Sequence, residues 1–351
     1  MSNLGPNRYS VDRSELAELL GDEPKFRVDQ LWQGLYEHHS DPADITNLPK
    51  ALRERLESEL PTALTEVTRS VGDNGNTVKW LWAMRDGATV ETVLMHYDDR
   101  STVCISSQAG CAMGCGFCAT GQAGFERHLD VGEIVEQVVR AIREAKPRRV
   151  SNIVFMGMGE PLANYNATWG AVERLHSDIG LSARHITVST VGIIPGIRRL
   201  TDEALPVNLA VSLHAANDTL RDELVPINRR YPLGDLAEAC ADYLTVKNRR
   251  LSFEWAMIAD VNDRDSDAQE LAGLCRALRA HVNLIPLNPT PGYAVRGSSP
   301  ARVREFRDLL IDLGANATIR KNRGTEIDAA CGQLRANHDV NVELTKRKPV
   351  S

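Results

Sequence analysis

Cys111, Cys115 and Cys118 fall within one eight-residue run, Cys111-Ala112-Met113-Gly114-Cys115-Gly116-Phe117-Cys118. No other feature of the chain restricts its fold as tightly. Three soft thiolates on a short loop with two glycines can wrap a cubic iron–sulfur cluster, and three ligands leave one of its irons open. Zinc is the competing occupant, but a structural zinc site takes a fourth protein ligand, and no fourth cysteine belongs to the run. The spacing predicts one [4Fe–4S] cluster, with Cys111, Cys115 and Cys118 as its metal ligands.

The remaining cysteines, at 104, 240, 275 and 331, are too few and too scattered for a disulfide scaffold in 351 residues. Clustered cysteines in a reducing compartment read as metal ligands or catalysts, whereas Cys240 and Cys275, inside expected helices, read as inert. There is no apolar run of about 18 residues, and the first twelve residues are polar, which predicts a cytoplasmic chain without a membrane span or secretory signal.

Helical periodicity is expected over 12–20, 26–37 and 50–59, and in the second of these Val28, Leu31, Trp32 and Leu35 share one face. These predict a small N-terminal helical domain over 1–62, a candidate RNA holder. Strands at 65–70, 78–84 and 89–95, separated by Gly-Asp-Asn-Gly and Arg-Asp-Gly turns, predict an antiparallel extension over 63–100. Over 101–337 a strand carrying Cys104 is followed by strands at 152–156, 185–190, 207–214, 251–258, 282–287 and 317–321, alternating with helices. Asp130 with Glu133 three residues on is a capping box opening one of those helices. The expected fold class is α/β, a partial (β/α)6 barrel whose functional loops lie at the carboxyl ends of the strands. The tail over 338–351 is basic and expected to be loosely ordered.

S-adenosylmethionine (SAM) can chelate an open iron through its amino and carboxylate groups, and an electron passed through the cluster can cleave it to a 5′-deoxyadenosyl radical. The run Met156-Gly157-Met158-Gly159-Glu160-Pro161 follows an apolar strand, so Gly159 and Glu160 are candidate cofactor-binding residues: the carboxylate can accept from the SAM ammonium, and the glycines let a ligand approach the backbone. Ser189, the Ser212-Leu213-His214 group and Asn288 stand at other expected strand ends around the same barrel mouth. Together these features predict a radical SAM barrel.

With these residues in place, the chain resembles the RlmN family of dual-specificity rRNA and tRNA adenine C2 methyltransferases. The resemblance runs from about Glu91 to Leu334 and rests on Cys104-Ile105-Ser106-Ser107-Gln108-Ala109-Gly110-Cys111, the cysteine triad, Ala119-Thr120-Gly121, segments 156–162, 212–214 and 285–289, and Arg323-Gly324-Thr325-Glu326-Ile327-Asp328-Ala329-Ala330-Cys331-Gly332-Gln333-Leu334. It implies methylation at C2 of adenosine 2503 in 23S rRNA and of adenosine 37 in tRNAs, on a partial radical SAM barrel with a small N-terminal helical domain. It also implies that Glu160, Ser189, Ser212, His214 and Asn288 line the SAM pocket. Cys331 falls at the position of the transiently methylated cysteine, Cys104 at that of its resolving partner, and Glu91 at an acid in the proton-transfer region.

The chemistry gives these assignments a reason. Adenine C2 is a poor nucleophile, so a one-carbon unit must be held beside it and delivered as a radical. The Cys331 thiolate can take a methyl group from one SAM; a radical from a second SAM can then abstract a hydrogen, and the methylene radical adds to the base as a protein–RNA thioether. Attack of Cys104 on the Cys331 sulfur releases the product and leaves a disulfide for a dithiol reductant. Cys104 or Glu91 takes the C2 proton. Two SAM are consumed per methylation, and an external one-electron donor is needed. The chain carries a formal charge of -6, yet basic clusters at 148–149, 198–199, 229–230, 247–250, 320–323 and 346–348 offer local docking fields for RNA, where the target adenine must be unstacked. Nothing in the sequence fixes a subunit count. The shared motifs serve adenine C8 methylation equally well, and a noncatalytic iron–sulfur or metal-stabilised RNA-binding protein is the reading from another class; Cys331 and Glu160 favour catalysis.

Overall fold

The computed structural model describes residues 5–287 and 295–320. Asn288, Cys331 and the tail expected over 338–351 lie outside the described residues.

The first three helices are α1 (Arg13–Leu20), α2 (Phe26–Tyr36) and α3 (Lys50–Glu59). Asp12 and Glu15 cap α1 reciprocally, which satisfies backbone donors the first turn cannot. The apolar faces of these helices do not stand alone. Trp32, stacked on Tyr36 with ring centroids 4.5 Å apart, donates from Nε1 to Asp178 at 3.2 Å, and Arg174 donates to the Tyr36 hydroxyl at 3.0 Å. Both rings are therefore core residues that dock the N-terminal helices on the catalytic region.

Ten strands form one sheet. The antiparallel edge is β1 (Leu64–Gly72), β2 (Thr77–Met84) and β3 (Thr89–His96), and β3 pairs antiparallel with β4 (Ser101–Cys104). From β4 onward every neighbour is parallel: β7 (Val150–Phe155), β8 (Ile186–Thr190), β9 (Asn208–Ser212), β10 (Leu251–Met257), β11 (His281–Pro286) and β12 (Asn316–Ile319). Crossovers are supplied by α5 (Val131–Ala145), α6 (Tyr165–Ser177), α7 (Ile194–Asp202), α9 (Leu233–Lys247), α10 (Asp265–Leu278) and α11 (Pro300–Asp312), with α8 (Asp218–Leu224) before α9. Six strand–helix units and a closing strand make the partial barrel, and the antiparallel extension is its continuation at one edge. Asp130 caps α5 as its spacing predicts, accepting from Glu133 N at 2.8 Å, and Ile134, Val135, Val138 and Val139 are buried. Among the described residues, no helix is long and apolar enough to cross a membrane.

The two faces of the parallel sheet differ. Ile153, Phe155, Val188, Leu209, Val211, Phe253, Trp255, Val282 and Leu284 belong to the core shared with the helices. The opposite face carries Thr102, Asn152, Thr187, Asn208, Ser252, Glu254, His281 and Asn283, which line an open cavity of about 920 Å³. Cross-strand register accounts for the row, since Thr102 faces Asn152, Thr187 faces Asn208 and Glu254 faces Asn283. An open barrel leaves this face without a covering helix layer, so most of its inward positions are polar, with Val154 and Met156 the apolar exceptions on β7 and the residue after it.

Candidate active site

The cysteine loop projects from a narrow neck. Two short strands that periodicity does not reveal, β5 (Gln108–Gly110) and β6 (Phe125–His128), pair antiparallel, and Cys111 N donates to Gly124 O at 2.8 Å, so residues 111–124 form a closed excursion. Inside it α4 (Ala119–Gln122) begins just after Cys118, Cys118 N donates to Cys115 O at 3.1 Å, and Gln122 Nε2 donates to Gly116 O at 2.6 Å. The loop's backbone is thus folded by its own bonds. Burial pushes the Cys111 thiol up to about 12 and raises Cys115 further, and each is raised again by the charge of Cys118.

All three cysteines face one cavity of about 210 Å³ at the carboxyl ends of the strands. Gly159, Glu160, Ser189, Ser212 and His214 line the same cavity. Leu213 does not line it: its side chain is in the core, while its N–H donates to Glu254 O at 3.0 Å. Glu160 is buried and holds two loops together, one oxygen accepting from Leu162 N at 2.9 Å and the other from Val191 N at 2.8 Å. Burial nevertheless lifts its carboxyl to about 7, against the pull of these donors. The glycines before it have a purpose other than the expected one. A Cβ on Gly157 would lie 2.5 Å from Ile105 O, and one on Gly159, at φ +99°, would lie 2.7 Å from Gln108 N. They permit close passage of the segment that joins Cys104 to the cysteine loop, in addition to lining the cavity.

His214 also has a positive φ, 61°, and its Nδ1 accepts from Ala256 N at 3.0 Å, which leaves Nε2 as the protonated ring nitrogen. Burial, with the Arg221 cation beyond, depresses its basicity to about 3, so the ring is neutral. Phe117 of the cysteine loop packs edge-on against it at 4.7 Å.

Glu91 and Cys104 share the sheet face that borders the larger cavity, where Cys104 packs with Val93, Met95, Val154 and Met156. Cys104 is the register partner of Val93, so Glu91, two residues earlier on β3, sits diagonally across from Cys104, roughly 7–8 Å away by sheet geometry. Both are buried, and Glu91 Oε2 pairs with Lys79 Nζ at 3.0 Å, with neither side chain exposed. Lys79 and Glu254 carry no motif that marks them in the sequence, and Arg320 stands there only as one member of a basic cluster. The register-imposed polar row on alternate strand positions is the signal that locates Glu254, and Met156, Glu254 and Arg320 line both the small cavity and the large one, joining them.

Residues 105–272 match the Radical SAM superfamily model. The chain is 50% identical, over 97% of its length and 95% of the relative's, to the "probable dual-specificity RNA methyltransferase RlmN" of Chloroflexus aurantiacus. It is 50% identical to a protein of the same name from Thermobifida fusca, over 95% of this chain and 96% of that one. The chain belongs to the RlmN family. The crystal structure of a radical SAM methyltransferase from Sphaerobacter thermophilus agrees with this RlmN-family fold, with a TM-score of 0.91 at 49% identity over 94% of this chain and 99% of that chain. The region shared with the wider superfamily contains Cys111, Cys115, Cys118, Glu160 and His214, whereas Glu91, Cys104 and Cys331 lie outside it.

Proposed function

We propose that this RlmN-family enzyme methylates C2 of adenine in 23S rRNA and tRNA, using one [4Fe–4S] cluster, two SAM per methylation, and Cys331 as the methyl carrier. One observation carries the reading: Cys111, Cys115, Cys118 and Glu160 line one cavity, and Cys104, in register with Val93 and Val154, stands on the sheet face whose Thr102 and Val154 border the larger cavity joined to it.

The residues present fit the cluster. Burial disfavours bare thiolates at Cys111 and Cys115, so the loop calls for a cation to hold them ionised. Three thiolates on one loop with no fourth cysteine beside them suit an iron–sulfur cubane with one open iron better than tetrahedral zinc. With SAM bound, the cluster supplies one-electron cleavage of the sulfonium.

The chain's own residues do the rest. Glu160 keeps lone pairs for the N–H groups of the SAM amino group after accepting two backbone N–H groups, and neutral His214 offers an Nε2–H toward the cavity. Cys331 carries the methyl group and bonds to the base; Cys104 displaces the product from Cys331; Glu91 or Cys104 accepts the C2 proton. RNA enters through the larger cavity, bordered by Arg100, Arg184, Arg249, Arg250 and Arg320 with Glu254 the sole carboxylate among the described lining residues. That local field reverses the chain's net negative charge and suits phosphates flanking an extruded adenine. The cellular setting is the cytoplasm, with a one-electron donor and a dithiol reductant as partners.

Replacing Cys104 with Ala tests the two-cysteine chemistry. Cluster loading and Cys331 methylation should persist, and after anaerobic turnover with labelled RNA a covalent RNA adduct should accumulate on Cys331, seen by denaturing electrophoresis and located by mass spectrometry. Normal repeated turnover by this variant, or an adduct on another residue, contradicts the assignment.

A further inference from the structure

Arg221 is fully buried, in the middle of α8, and among the described residues its hydrogen-bond acceptors include no carboxylate. Nε donates to Leu213 O at 3.1 Å, one terminal nitrogen to Val191 O at 2.6 Å, and the other to Asn228 Oδ1 at 2.6 Å. The nearby acids are held off by that amide: Asn228 turns its Nδ2 to Asp218 at 2.9 Å and to Asp222 at 2.7 Å. Neutral oxygens thus satisfy the guanidinium's donors without a contact ion pair, an expensive way to bury a charge.

The chain places that charge beside the cysteine loop. Cys115 packs with Ala215, Leu224, Val225 and Ile258, with Leu220 and Val191 against them, so both flanks of α8 and the loop that Arg221 grips touch the apolar bed of the central cysteine. The bond to Val191 O also ties Arg221 to the Glu160 clamp, because the N–H of the same residue donates to Glu160.

We infer that Arg221 is a positioning residue whose buried cation stabilises the reduced cluster, raising its reduction potential, while its hydrogen bonds fix the two loops that border the cavity. The inference rests on the cluster assignment above. Each electron accepted from the external donor adds a negative charge to a cluster already bound by three thiolates, and net charge is one of the determinants of such potentials. A fixed cation in a poorly screened site favours that step.

The test is a potentiometric titration, followed by electron paramagnetic resonance, of anaerobically reconstituted wild type, Arg221→Gln and Arg221→Lys, each with iron and sulfide analysis. Arg221→Gln should shift to more negative potential by at least a tenfold change in the reduced-to-oxidised ratio, about 59 mV for a one-electron couple. Arg221→Lys, which keeps the charge and loses the planar fork, should stay closer to wild type. Equal shifts in both variants, or no shift in Arg221→Gln, overturn the inference. If Arg221→Gln fails to load, normal loading of Arg221→Lys supports a requirement for charge, and failure of both overturns it. A wild type that takes up no iron–sulfur cluster refutes the cluster assignment itself, a result distinct from any of these.

Discussion

Glu160 is asked to do two things with one carboxylate. Because its oxygens already accept the N–H groups of Leu162 and Val191, Glu160→Gln is not a neutral swap: one N–H must face the new amide NH2. A buried donor left unsatisfied costs roughly 1–3 kcal/mol, so the variant should melt lower than wild type without any ligand and bind SAM weakly when loaded with cluster. Unchanged melting and SAM affinity would remove Glu160 from both roles. The carboxyl also titrates near 7, above its ordinary 4.5, so the ligand-free fold holds this proton more tightly than the unfolded chain and loses stability as pH rises from 4.5 through 7. The N–H donors of the bound SAM amino group favour the ionised form. SAM affinity should therefore rise toward pH 7 and level off above it, falling about tenfold per unit below; calorimetry on either side of 7 that gives a flat profile would contradict this. Glu160 is legible in the sequence because a strand followed by Gly-x-Gly-Glu is an uncommon arrangement. Arg221 is not, since no motif or pattern in the sequence marks it, and only the fold reveals that its side chain is fully buried.

At the scale of elements, the segment joining β4 to β5 and the turn after β7 are packed backbone to backbone. Gly157→Ala would press a methyl group to 2.5 Å from Ile105 O, and since a main-chain carbonyl cannot swing away as a side-chain tip can, the strand end carrying Cys104 must shift. Overpacking of this kind costs about 1–3 kcal/mol. Thermal denaturation should show the loss, with methyl transfer falling further than melting alone explains; an unaltered melting temperature would show that the close approach is dispensable. Strand and helix positions are largely legible: the expectations at 78–84 and 251–258 correspond to β2, Thr77–Met84, and β10, Leu251–Met257. β5 and β6 escape because three- and four-residue strands flanked by glycine carry no periodic signal, and their pairing spans the whole cysteine loop. The glycines of 156–162 suggest ligand approach or a tight strand-to-helix turn, because a sequence cannot say which other segment passes close by.

On the scale of the whole molecule, a chain of charge -6 gathers five arginines around one cavity and joins that cavity to the cysteine site through Met156, Glu254 and Arg320. The sequence displays some of these charges as clusters but not their convergence, since Arg100, Arg184 and Arg249 come from loops and strand ends far apart along the chain. Arg184→Gln with Arg250→Gln, both exposed, should weaken RNA binding and flatten its dependence on salt by about 0.7 in logarithmic slope for each phosphate no longer neutralised, while SAM cleavage without RNA persists. An unchanged salt slope would place the RNA elsewhere. The central claim is regiochemical and chemical at once. Reconstituted enzyme, isotopically labelled SAM, reductant and unmodified 23S rRNA or tRNA, reacted without oxygen and digested to nucleosides for mass spectrometry, should yield labelled 2-methyladenosine. Labelled 8-methyladenosine, or no labelled adenosine from an enzyme that carries its cluster and cleaves SAM, would contradict it.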